Sequence, residues 1–252
     1  MSLAAILVRV SLLLAAAFVP SLIYLIFIRN IEKFSREPWR MVLTVFARGA
    51  FYSIIIAIIL EVLFYYLYKT QIERIYIVLS EKQTIEMIVL ACVVAPFVEE
   101  LAKLFAVRRA KPEIDELEDG FIYGATAGLG FAATENLLYE LGFALTGNFQ
   151  DFGFLVLMRS ISSTLLHASA SAIAGYGLAS IYLRGEYGKA IFLLGGAMGL
   201  HALFNLFASF GIIFGGLWYS GLVGFVFSAA LAITAIGYVR DKIRQLDMQG
   251  RY

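Results

Sequence analysis

The sequence predicts an all-α, polytopic integral membrane protein, a bundle of about seven transmembrane helices. Three observations predict it. Of 252 residues, 61% are hydrophobic and 15% charged, against about 25% charged in ordinary soluble domains. The apolar residues gather in seven windows that approach or exceed the roughly 20 residues a bilayer crossing needs. The charges gather in the gaps between windows, and unevenly so.

The windows are 3–28, 41–68, 84–106, 120–145, 152–183, 189–210 and 212–239. The first has Arg9 and then an apolar run with no polar cleavage region, so it reads as an uncleaved span. The second carries Arg48 and Glu61 near its ends, where long side chains snorkel. The third holds "PFVEELAKLF" (96–105), with Glu99, Glu100 and Lys103 where lipid should be the solvent. The fourth has Gly120, Gly124 and Gly128, a ridge that lets another backbone approach closely, and then Glu135 and Asn136. The fifth has Arg159, read as snorkelling at the outer end, and "HASAS" from His167. The sixth has a second glycine ridge, Gly195 and Gly199, then His201 and Asn205. A glycine-rich "FGIIFGG" separates it from the seventh.

Loops 29–40, 108–119 and 184–189 and the tail after Val239 carry most of the basic residues, Arg240 and Arg251 included; the opposite set has mainly Lys69, Arg74 and Lys82. By the positive-inside rule the N-terminus lies outside and the C-terminus in the cytoplasm, which requires an odd number of spans. The chain then divides into peripheral spans (1–83), a core (84–210) and a last span with its tail (211–252).

Net charge is +1, so no nucleic-acid partner is expected. Cys92 is the single cysteine, which excludes an internal disulfide and a CxxC metal site. A GxSxG elbow, a Walker A loop and a dinucleotide fingerprint following a strand are all missing.

A charge at mid-bilayer costs roughly 2.5–3.5 kcal/mol on insertion scales, so intramembrane ionisable groups mark function by default. At 1.5 Å rise per residue, Glu135, His167 and His201 lie about 22, 24 and 18 Å from their cytoplasmic helix ends. Glu99 comes out shallower, at about 10–16 Å, and reaches the same level if its helix runs past Val107. Helical phase puts His201 and Asn205 on one face, and likewise His167 with Ser171, Phe131 with Glu135, and Glu99 with Lys103. Glu100 points about 100° away from Glu99, so the two glutamates have different jobs.

Three chemistries suit such a set. A desolvated carboxylate holds protons more tightly, as a general base must, and can activate water. His201 and Asn205 are spaced to donate to one oxyanion, and Lys103 to keep the neighbouring carboxylate ionised. Glutamate and histidine are also zinc ligands, although HExxH is missing. Buried Glu and His also serve as proton or ion relays in transporters, but no internal repeat is present. Ser162, Ser163, Ser169 and Ser171 read as small packing residues.

"EELAK" (99–103), "DGFIYGATAGLGFAATENLLY" (119–139), "HASAS" (167–171) and "HALFN" (201–205) follow in the order and spacing of the PrsW family, which the chain resembles over about 84–210. These are membrane-embedded proteases grouped with the prenyl endopeptidases and bacteriocin-immunity membrane proteins. The resemblance implies a glutamate-dependent peptidase of a prokaryotic plasma membrane, with no obligatory metal or other cofactor. Its water-activating carboxylate is Glu99 or Glu100, and its oxyanion element is His201 with Asn205. Prenyl endopeptidases have a histidine where Glu135 stands, four residues after Phe131, which turns the reading towards the PrsW branch. Glu135 or His167 assists the base; Lys103, Asn136 and Phe131 support the site. The implied substrate is a membrane-anchored protein such as an anti-sigma factor.

Overall fold

In a computed structural model, which describes residues 3–72, 83–146, 149–215 and 217–249, every secondary-structure element is a helix. Arg74, Lys82 and Arg251, used in the charge comparison, lie outside the described residues. The helices are α1 (Leu3–Arg29), α2 (Trp39–Arg48), α3 (Ile54–Leu67), α4 (Gln83–Val89), α5 (Ala95–Val107), α6 (Leu117–Thr146), α7 (Phe149–Ile161), α8 (Ser163–Arg184), α9 (Tyr187–Ala208), the short α10 (Phe210–Ile213) and α11 (Ser220–Gln249). A π-helical turn at Gly49–Ser53 joins α2 to α3, and another at Leu90–Val94 joins α4 to α5.

Among the described residues, four helical stretches are long and apolar enough to cross a membrane: Leu7–Arg29, Trp39–Gln71, Tyr187–Ala208 and Ser220–Gln249. The windows at 84–106, 120–145 and 152–183 are not among them. Glu86, Glu99, Glu100 and Lys103 put too many charges in the first of these, and small and polar residues dilute the other two. Large apolar side chains such as Phe27, Ile59, Val62 and Phe192 are exposed on the outer helices. They are the surface a bilayer would cover.

α6 is the axis of the bundle. Every residue from Leu117 to Ala133 is buried, as expected of a helix apolar on all sides. The predicted ridge is what admits α8. A Cβ on Gly124 would lie 2.2 Å from the Ser171 carbonyl oxygen, and one on Gly128 2.2 Å from that of His167. A methyl at Gly128 would therefore push the His167 backbone away, an overpacking that costs about 1–3 kcal/mol. The second ridge is a correction: among the described residues a Cβ on Gly195 or Gly199 meets nothing within 4 Å, because none of the described helices packs on that face of α9.

Two further expectations change. The window 152–183 breaks at Ser162, between α7 and α8. Ser160 and Ser162 donate to the carbonyls of Val156 and Met158, a back-bonding that bends helices. Residues 240–249, expected as a tail beyond the last span, continue α11 to Gln249, and Asp247 accepts the Lys33 N–H at 3.0 Å.

At that end of the bundle Glu32 and Glu37 are buried among acidic neighbours. Burial, reinforced by Asp119 and Glu118, pushes the Glu32 carboxyl up to about 9. Burial also pushes Glu37 up to about 9, against the pull of a hydrogen bond from Tyr123.

Candidate active site

Pro96 begins the site. It offers no N–H, and in a π-helical register its partner would have been the Ala91 carbonyl. That oxygen accepts Asn205 Nδ2 instead, at 2.7 Å. The bulge thereby fastens α9 to the start of α5, and the next turn carries Glu99, Glu100 and Lys103.

Lys103 is wholly buried. Its Nζ lies 2.8 Å from Glu100 Oε1, 3.3 Å from Glu99 Oε2 and 2.9 Å from His167 Nδ1, and 4.3 Å from the Phe131 ring centroid. One ammonium thus serves both glutamates and a histidine, with an aromatic face below it.

The two glutamates differ as their helical phase predicts. Glu100 is closed off: it also accepts from His201 Nδ1 at 3.0 Å and Ser171 Oγ at 2.9 Å. Glu99 lines a cavity of about 490 Å³, together with Glu61, Glu135, Tyr139, Arg159, His167 and Asn205. Its Oε2 stands 3.8 Å from His167 Nδ1 and 3.9 Å from His201 Nε2. The α-helical part ends at Val107, and the chain runs on as a 3₁₀ helix over Arg108–Glu113, the extension past Val107 that the level of Glu99 called for.

His167 Nε2 meets Glu135 Oε2 at 2.9 Å. With the ammonium donating to Nδ1, the hydrogen-bond network assigns the ring proton to Nε2. In His201, Nδ1 faces the Glu100 carboxylate and carries the proton, so Nε2 presents its lone pair. His201 and Asn205 share a helix face but not a target: one bonds Glu100 and the other Ala91.

Arg159 departs most from expectation. It does not snorkel. Nη2 donates to Glu135 Oε2 at 2.7 Å, Nε to Asn136 Oδ1 at 2.7 Å, and the guanidinium lies 3.9 Å from the Tyr139 ring centroid. The break at Ser162 separates its helix from α8. Asn136 in turn donates to Thr164 Oγ1 at 2.9 Å and supports the site from behind. Ser171 was also missed, although its phase with His167 was visible, and so was Glu61 in the cavity wall.

Glu99, His167 and His201 offer ligand atoms within 4.8 Å of one another, a zinc-like donor set by type. The arrangement does not fit a metal. The Lys103 ammonium already sits against Glu99 Oε2 and takes the Nδ1 lone pair of His167. An ion bound there would have to share that lone pair with a fixed positive charge.

A family model described as "PrsW family intramembrane metalloprotease" matches residues 37–233. Protease PrsW of Clostridioides difficile (strain 630) is 30% identical over 177 residues, which cover 69% of this chain and 67% of that protein. No solved structure matches.

Proposed function

We propose, from the premise that this chain belongs to the PrsW family of intramembrane proteases, that it cleaves a single-span membrane protein by glutamate-activated water, without a metal. It is a multi-pass membrane protein and a peptidase. The observation that carries the mechanism is the division between the glutamates: Glu99 faces the cavity, and Glu100 is spent on Lys103, His201 and Ser171.

In this mechanism a water donates one O–H to Glu99 Oε2 and the other to His201 Nε2, leaving an oxygen lone pair for the scissile carbonyl. Glu99 takes the proton as the new C–O bond forms. The second amide N–H of Asn205 donates to the oxyanion. Glu99 then returns the proton to the leaving nitrogen as the C–N bond breaks. Glu135, held by Arg159, keeps His167 in one tautomer, and His167 with Glu100 holds the ammonium beside Glu99. Asn136 and Phe131 brace this set.

We further propose seven membrane passages, with the N-terminus outside, the C-terminus cytoplasmic and the core over 84–210 in a prokaryotic plasma membrane. In that orientation the cavity lining extends from Glu99 to Tyr139, Arg159 and Ile212, on the side away from the basic loops. A substrate then enters from the outer half of the bilayer. An anti-sigma factor suits that geometry, and its choice among membrane-anchored proteins rests on family alone.

The purified protein, reconstituted with a single-span substrate, tests this. Mass spectrometry of the products is expected to place the cut in the outer half of the substrate's span. A cut on the cytoplasmic side, or equal hydrolysis of soluble peptides, overturns the reading.

A further inference from the structure

We propose that Glu32, Glu37 and Asp119 form a binding site for a hard divalent cation, magnesium or calcium, about 24 Å along α6 from Glu135. One carboxylate oxygen from each lies within 4.8 Å of the others. The three residues are 0%, 4% and 1% exposed. Oxygens bound 2.3–2.6 Å from one calcium ion span distances of this size, and an all-carboxylate set suits magnesium or calcium rather than zinc.

A second observation points to a ligand. Glu32 is wholly buried, and among the described residues neither of its carboxylate oxygens has a hydrogen-bond partner of standard geometry. Buried carboxylates are normally paired or coordinate metals, because leaving them bare is costly. The nearby arginines do not serve. Arg36 Nε donates to the Glu32 backbone carbonyl at 2.9 Å, and Arg29 Nε to that of Glu37 at 2.8 Å.

The other two carboxylates are pre-positioned. Asp119 accepts the N–H groups of Asp115 and Glu116 at 2.9 and 2.7 Å, and Glu37 accepts the Tyr123 hydroxyl. Such contacts fix the orientation of ligands around an ion. The cation ties the segment between α1 and α2 to the start of α6. That segment also reaches α11, through Lys33 and Asp247.

The test uses the full-length protein in detergent at constant ionic strength. Magnesium and calcium chloride are titrated by calorimetry, and thermal unfolding is followed at each concentration. One ion per chain is expected, with an unfolding midpoint that rises with cation concentration in the wild type and stays constant in Glu32→Gln. That substitution keeps the shape and removes a buried charge, so the variant folds without the ion. Equal shifts in both proteins, or no shift in the wild type with either cation, overturn the site; the carboxyls then carry protons instead.

Discussion

Lys103→Met is expected to cost about 3–5 kcal/mol of stability, as does removing one partner of a buried ion pair, and to abolish cleavage. The substitution leaves Glu99 and Glu100 buried on adjacent positions of α5 with no cation between them. Two carboxylates so placed cannot both stay ionised. Glu100 retains His201 and Ser171 as donors, so Glu99 is the one that takes up a proton, and a protonated Glu99 cannot act as a base. The size of Met makes lost charge, not lost volume, the main change. Unfolding in detergent and the cleavage rate together check the prediction. If unpaired charge is the cause, Lys103→Met combined with Glu100→Gln is more stable than Lys103→Met alone. Additive losses would mean that the three groups do not act as one unit.

Glu99→Gln is expected to lower the cleavage rate by at least about a thousandfold, within the range for loss of a general base, while the fold persists. Gln keeps the shape and can still accept from Lys103 and line the cavity, but it cannot take a proton from water. Glu100→Gln separates the roles. It removes a charge that Lys103, His201 and Ser171 all use, so stability falls. Its rate falls only roughly tenfold to a hundredfold, the size of one lost charged hydrogen bond. Single-turnover rates at a temperature where both variants are folded distinguish them. Equal losses would put the two glutamates in one role.

The sequence carried the helices wherever apolar length dominates: the windows at 3–28, 41–68 and 189–210 coincide with helices to within a few residues at most ends. It carried the Gly120–Gly124–Gly128 ridge as well, because a spacing of four on a small-residue face has a direct steric meaning. The same spacing at Gly195 and Gly199 misled, since small residues permit close approach but do not require a partner. Arg159 was misread because depth along a span says nothing about which way a side chain turns. Its target, Glu135, lies on another helix, and the serine-rich break at Ser162 was the available signal. Asn205 shows a related limit. Helical phase places it beside His201, but its partner is a carbonyl left over by Pro96, which becomes visible only when α5 and α9 are packed together. The different faces of Glu99 and Glu100 were legible from adjacency; which of them meets the cavity was not.

In the proposed mechanism the ammonium of Lys103, and no metal ion, is the cation that serves Glu99 and Glu100. Cleavage of a single-span substrate by the purified protein, in magnesium and with or without phenanthroline, measures this most directly. Phenanthroline removes zinc and other transition metals and leaves magnesium in solution. The same rate is expected in both conditions. Loss of cleavage with phenanthroline, restored by added zinc, would contradict it.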